Sequence, residues 1–375
     1  MQRQREGERP QCRACSATAG DVVLDLGVQP ACEYFPPQAD PGPDPVFPLR
    51  LWLCATCGLA QLADDAELPD EPVGAEPAAL ARQRADAIAT VREMGLLPAG
   101  ATVVEGATPH GGSWLPELAA LGVHPAAGGA RADVVVDATF GLMHEPDQRG
   151  ALDRLVEALA PDGVLLFGFH SLAAVLAGDQ WNAVRLGHYA YYSTPAVVGM
   201  FARAGLTVTS ARWFPLYGGT VLLVARRGGE PDASVGDLVD AETAAGVLRP
   251  DVLGRLQEAV LRSTGGLRDL VHAYRDAGEP GFGYSAASRA VALVHLAGLG
   301  SDDLPAVADA SPAKHGCRMP GTDIPIVSPA ELVAARPRHV LLFVSDLLPE
   351  VRVSLPQVEA DGGRWIDCGA GPVRQ

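Results

Sequence analysis

The chain has 375 residues, 48% of them hydrophobic and 20% charged, with a formal net charge of −16. That is ample apolar material for two or three domains with real cores. The acidic balance disfavours nucleic acid and anionic membrane surfaces as partners, since both need basic patches. No run of about 20 apolar residues suggests a membrane span. The opening stretch, Met1 to Glu6, lacks the apolar core of a signal peptide and is expected to be a short disordered tail on a cytoplasmic protein.

Two C-x-x-C pairs follow, Cys12/Cys15 and Cys54/Cys57. Each tight bend converges two thiolates on one point, and the second pair completes a tetrahedral four-cysteine zinc site. Disulfides would need an oxidising compartment, to which nothing here points. A redox C-x-x-C usually stands singly beside a βαβ unit. Four ligands leave no open position, so the expected zinc is structural. Between the knuckles, Val22–Gly27 and Phe47–Leu53 suggest strands, separated by a loop that carries Pro41, Pro43, Pro45 and Pro48. A module of about 60 residues with so few elements builds little core, and a metal staple explains how it holds.

An acidic, proline-bearing stretch, Asp64–Pro77, is expected to be a linker. Ala78–Gly95 has helical spacing, and Ala101–Glu105 suggests a buried strand. Gly106–Gly112 is the loop after that strand, and a helix resumes over Trp114–Leu121. Strand, glycine loop and helix suggest the start of a nucleotide-binding α/β unit. Further strands are expected at Ala132–Asp137, Val164–Phe167, Leu206–Trp213 and Thr220–Ala225, with helices over Ala151–Ala160 and Ser193–Gly205 and a turn at Pro161–Gly163. Arg226–Gly236 is expected to be a second linker. Leu238–Ala277 is mostly helical, with breaks expected at Gly246–Pro250 and near Gly265-Gly266. A helix opening after Gly281–Ser288, strands at Ala306–Ala310, Val340–Ser345 and Gly363–Asp367, and a helix over Glu350–Ala360 argue for a small second parallel-sheet domain.

With these residues in view, the chain resembles the three-domain sugar C-methyltransferases. These join an N-terminal zinc module, a central S-adenosylmethionine (SAM) domain and a C-terminal Rossmann-like domain. The resemblance runs through both knuckles, Leu24–Gly27, Gln29-Pro30, Pro48–Leu51 and Cys57–Leu59. It continues through Gly283–Ala287, Ser311–Gly316, Pro320–Ile326 and Ser328-Pro329. It implies an α/β architecture: a zinc module over 10–63, a shortened class I methyltransferase-like domain over 78–226 and a Rossmann-like domain over 237–372. It implies a cytoplasmic enzyme of secondary metabolism acting on a small molecule such as a nucleotide sugar. In the family, a histidine in a Glu-His-x-x-Tyr-(Tyr/Phe)-Ser segment removes the proton beside the ketone of an NDP-4-keto sugar, and the carbanion takes a methyl group from SAM. The segment here is Gly187-His188-Tyr189-Ala190-Tyr191-Tyr192-Ser193. The resemblance therefore implies His188 as base, with Tyr191 and Tyr192 beside it. An imidazole suits general-base work near neutrality, and a phenol can stabilise an enolate oxygen. It also implies Glu105, Gly106 and Gly111 for the cofactor and Tyr217, Tyr284, Ser285 and Arg289 for the substrate. Cys12, Cys15, Cys54 and Cys57 are the zinc ligands.

The chain departs from the family in four places. The glycine loop has Ala107 where a glycine lets the backbone approach the cofactor, and Pro109-His110 where the family has Asn-Asp. Only ten residues, 122–131, separate the first helix from the strand at Ala132–Asp137. They cannot hold a strand, a helix and another strand, so the ribose and adenine side of the pocket is expected to be missing. Gly187 replaces the glutamate beside the base, and Tyr217 stands where the family often has histidine. Two further readings stay open beside methyl transfer: a SAM-independent isomerase, epimerase or lyase on a keto intermediate, and a non-catalytic partner protein. His110, His144 and Lys314 are taken as polar or structural residues, and Cys32, Cys317 and Cys368 as ordinary thiols.

Overall fold

The computed structural model describes residues 10–40, 42–66, 68, 78–107 and 111–369. The N-terminal tail, most of the first linker, and Pro109 and His110 of the glycine loop lie outside the described residues. Three sheets organise the fold.

The first is antiparallel, in the order Gly20–Pro30, Val46–Cys54, Ala60–Leu62, Ala190–Tyr191. Its second strand shows why it sits where it does. Successive side chains of a strand alternate in direction. Leu49, Leu51 and Leu53 pack into a core shared with the C-terminal helices, while Trp52 and Cys54 pack on the opposite side against the central sheet. Both faces are buried, so the knuckle-bearing sheet is a partition between two larger units. Its last strand comes from far along the chain: Ala60 pairs Tyr191 and Gln61 pairs Ala190.

The central sheet runs His124–Pro125, Thr102–Glu105, Ala132–Asp137, Leu159–His170, Thr220–Arg226, Thr207–Phe214. The first four strands are parallel, and Thr220–Arg226 runs antiparallel between its two neighbours. This closing pair matches the expectation from Leu206–Trp213 and Thr220–Ala225. On the other side the sheet stops early. His124–Pro125 is two exposed residues, and no strand lies beyond it among the described residues. The shortening expected from residues 122–131 is thus an edge reduced to a stub.

The third sheet is wholly parallel, in the order Ile326–Val327, Val307–Ala308, Phe282–Tyr284, His339–Leu342, Arg364–Asp367. The order reverses at Phe282–Tyr284, where a doubly wound sheet opens a crevice beyond its strand ends.

Three local expectations change. Pro161–Gly163 is not a turn that precedes the strand: it bulges inside Leu159–His170, where Leu159 and Val164 face Ala132 and Val134. The second linker is shorter, because a helix begins at Ala233 with Asp232 accepting from the Ser234 N–H at its start. The helix Arg255–Asp276 runs straight through Gly265-Gly266. Its buried stripe of Leu256, Ala259, Val260, Ser263, Thr264, Leu267 and Val271 outweighs a propensity cost of about 1 kcal/mol per glycine.

Candidate active site

The four knuckle sulfurs lie within 4.8 Å of one another, with Cys12 to Cys57 at 3.5 Å and Cys15 to Cys54 at 3.6 Å. A tetrahedral zinc with bonds of about 2.3 Å places its sulfurs about 3.8 Å apart, so the quartet fits that ion. The hydrogen bond from Cys57 draws the Cys12 thiol down to about 5 and pushes Cys57 up.

A cavity of about 240 Å³ lies where the three units meet. The carboxyl ends of the two larger sheets face it through His170, which ends Leu159–His170, and through Ser285 and Val344, which follow Phe282–Tyr284 and His339–Leu342. Of the residues expected from sequence, His188, Tyr191, Tyr217, Ser285 and Arg289 line it together. Tyr192 and Tyr284 do not. The Tyr192 hydroxyl donates to Gln148 in the central core, edge-on to Phe167 and Phe169. Tyr284 packs edge-on against Trp365. Glu105, Gly106 and Gly111 also lie away from this cavity.

The loop carrying His188 is fixed from several sides. The Tyr191 hydroxyl accepts from the Arg185 N–H at 2.9 Å, and Tyr189 N donates to Met143 O at 2.7 Å. Gly187 takes φ +85°, a conformation that favours glycine. His188 receives the Nε–H of Arg185 on its Nε2 at 2.8 Å and meets the His144 ring edge-on at 4.4 Å between centroids. Burial, and then Arg185, lowers His144 to about 4; burial, and then Arg289, lowers His170 to about 3. Both rings are neutral at pH 7.

Tyr217 is held in the left-handed region, φ +56°, by its own carbonyl, which accepts from His170 Nε2 at 3.0 Å and Gln180 Nε2 at 2.9 Å. Strain of this kind concentrates at functional sites. It presents the ring to Arg289, whose guanidinium carbon lies 4.7 Å from the ring centroid. Neither Arg185 nor Arg289 has a carboxylate partner within 4 Å among the described residues. Burial, then the charge of Arg185, weakens the hold of Arg289 on its proton, yet a guanidinium stays charged. Lys314 also borders the cavity, anchored to Ala286 O at 2.7 Å and lying over the Phe35 ring. Glu33 and Asp346 supply the acids, and burial raises Asp346. In a chain of charge −16, this cavity is locally cationic. Sequence reasoning passed over Arg185 and Asp346. Arg185 carries a signal only in being three residues before His188, and Asp346 carries none.

The crevice where a class I methyltransferase holds SAM is built differently. The Glu105 carboxylate accepts from Ser113 Oγ at 2.5 Å and Trp114 N at 2.6 Å, at the start of the next helix. A β-carbon built on Gly141 would lie 2.3 Å from Ala107 O, so the loops that should flank the cofactor already touch. With the second strand a stub as well, the residues present do not fit SAM in the family manner. Beneath these loops Asp137 accepts from Gly141 N and Leu142 N, both at 2.9 Å, and burial raises its carboxyl to about 7. The folded state then keeps a proton that the unfolded chain releases near pH 4. Stability should fall as pH rises from about 4 to 7, by roughly 4 kcal/mol in full. Asp137→Asn should flatten that slope and melt above the wild type at pH 8 but not at pH 4.5; parallel melting curves at both pH values would refute the assignment.

Comparisons with known proteins bear on the two ends of the chain. A C-methyltransferase C-terminal domain model matches residues 215–368, and a zinc binding domain model matches residues 12–69. The chain is thus similar to C-methyltransferases at both ends, through a zinc binding domain and a C-methyltransferase C-terminal domain. A relative, C-methyltransferase NovU of Streptomyces niveus, is 26% identical over 226 residues, which are 60% of this chain and 54% of NovU. The match thus spans about half the length of that relative. Two solved structures align with 41% of the chain. Magnesium protoporphyrin IX methyltransferase from Synechocystis PCC 6803, with bound SAH, has a TM-score of 0.29 at 12% identity over 90% of its length. N-methyltransferase NodS from Bradyrhizobium japonicum WM9 has a TM-score of 0.28 at 16% identity over 98% of its length. At such scores their ligands and reactions stay with those proteins. No helix among the described residues is long and apolar enough to cross a membrane.

Proposed function

We propose that this chain is an enzyme of carbon-acid chemistry in secondary metabolism. It binds an anionic keto compound of the NDP-4-keto-sugar kind, and His188 removes the proton beside the carbonyl. The observation that carries this reading is one cavity holding an imidazole and two guanidiniums that have no carboxylate within 4 Å among the described residues. Arg185 and Arg289 suit a phosphate-bearing ligand, because each offers a fork of donors. The helix Ser288–Ala297 points its N-terminus at the same place and adds positive potential. His188 Nε2, an acceptor as it stands, is the atom that takes the proton. Tyr191, beside it, positions the loop, its hydroxyl taking the Arg185 N–H and giving its proton to the Arg185 carbonyl, and Tyr217 shapes the floor beneath Arg289. Tyr192 supports the loop from the core.

Kinship with a C-methyltransferase supports methylation as the fate of the carbanion. The contact between Ala107 and the Gly141 loop favours a second reading, return of a proton in place of a methyl group, which makes the enzyme an epimerase or isomerase. Glu105, Gly106 and Gly111 belong to the first reading only.

Calorimetry with SAM and its demethylated product separates the two. Micromolar binding would sink the proton-return reading. Without it, the expected result is solvent deuterium entering dTDP-4-keto-6-deoxyglucose beside its carbonyl. His188→Gln should slow that exchange by about 10² to 10⁴, the usual worth of a positioned base. Exchange unaffected by the substitution would remove His188 from the mechanism.

A further inference from the structure

The contact between Arg185 and His188 has a cost for catalysis. A base needs a free lone pair, and the only lone pair of a neutral imidazole ring lies on its unprotonated nitrogen. Here that nitrogen is Nε2, and Arg185 Nε donates to it at 2.8 Å. The adjacent guanidinium also disfavours the imidazolium that proton abstraction would create. As arranged, Arg185 opposes the step assigned to His188.

The rest of Arg185 shows how the opposition ends. Its two terminal nitrogens have no acceptor among the described residues, and neither does the guanidinium of Arg289, which borders the same cavity. Two guanidiniums in one cavity repel each other, and each has donors to spare. Any anion that reaches both is favoured twice, by its own charge-assisted hydrogen bonds and by relief of that repulsion. The backbone of residue 185 would not need to move, since its N–H and carbonyl are both tied to the Tyr191 hydroxyl. Only the side chain must swing.

We propose that Arg185 is a specificity-determining residue that makes the His188 base conditional on an anionic ligand group, phosphoryl or carboxylate. The anion takes the guanidinium, and His188 Nε2 is released toward the carbon beside it. A neutral keto compound of the same shape leaves Arg185 on the ring and is not deprotonated. This rests on the reading of His188 as the base, and the test keeps the two separable.

The first arm uses no substrate. Diethyl pyrocarbonate acylates the unprotonated imidazole nitrogen, and peptide mass spectrometry of the full chain reports the rate at His188 apart from His144. Arg185→Met should speed labelling of His188 about tenfold or more, the worth of one charge-assisted hydrogen bond. Inorganic pyrophosphate should speed the wild type but not the variant, and succinate in place of pyrophosphate tells whether carboxylates serve equally. Equal rates in wild type and Arg185→Met, with and without anion, would overturn the proposal. The second arm follows solvent deuterium exchange. The wild type should exchange the nucleotide-linked keto sugar and leave the free keto sugar untouched. Pyrophosphate added in trans, or Arg185→Met, should open the free sugar to exchange. Free-sugar exchange by the wild type alone would also overturn it. If labelling behaves as expected and no exchange occurs on either sugar, the latch stands and the reading of His188 as the base falls.

Discussion

Replacing Cys54 with serine should unfold more than the module that carries it. The ligand set fits one zinc, and a four-cysteine site contributes on the order of 10 kcal/mol to the folding of the segment around it. Cys12 and Cys54 belong to the core shared with the central sheet, and the strand that holds Cys54 also buries Leu49, Leu51 and Leu53 in the core shared with the C-terminal helices. Loss of the knuckles therefore loosens both sides of the partition. It also releases Ala190–Tyr191 from Ala60–Leu62, and with it the loop that fixes His188. The expected result is one mole of zinc per mole of wild-type chain, none in the variant, and a melting temperature lower by on the order of 10 °C. A metal-free variant that melts with the wild type would show that the site is not a staple.

Asp44→Ala should cost about 3–5 kcal/mol, because it strands a buried guanidinium. Arg318 reaches Asp44 through both terminal nitrogens at 2.7 Å, and the two side chains are 7% and 6% exposed. Gly321 N adds a bond to the same carboxylate at 2.6 Å, and Arg318 also donates to Asp40 O and Thr322 O. The pair thus fastens the proline-rich loop of the zinc module to the Pro-Gly-Thr-Asp stretch of the C-terminal unit. Burial alone would raise the Asp44 carboxyl, but the Arg318 hydrogen bond, the Gly321 N–H and the Arg318 charge together hold it below the ordinary range. A depressed carboxylate gives its full stabilisation above pH about 4 and loses it on further acidification. Denaturant unfolding at pH 7 measures the loss. The paired replacement Asp44→Leu with Arg318→Met should recover most of it, as apolar substitutes for buried ion pairs often do. If the single and double variants were equally unstable, the ion pair would not be the source.

What could be read in the sequence was mostly local. The knuckles declare themselves by spacing, and the strands of the central sheet by short apolar runs between glycines and prolines. Pairing between distant segments was not legible. Ala190–Tyr191 is too short to show a period and meets a partner about 130 residues earlier, so its place in the zinc-module sheet has no sequence signature. Gly265-Gly266 misled because local propensity was weighed without the packing that overrides it. The stretch from Pro320 to Ile326 stood out as a pattern, but its work, receiving Asp44, depends on a loop near the other end of the chain. Arg185 shows the limit at the site. An arginine in a loop is ordinary, and only the 2.8 Å contact gives it meaning.

The borrowed strand of the zinc-module sheet also sets a timetable for a chain made from its N-terminus. Residues 12–62 can bind metal and pair three strands as soon as they leave the ribosome, but the outer edge of Ala60–Leu62 stays open until residues 190–191 emerge. At 5 to 20 residues per second that interval is on the order of ten seconds. Through it the nascent module presents an unpaired strand edge and an apolar face meant for the C-terminal helices, the pattern that invites pairing with other chains.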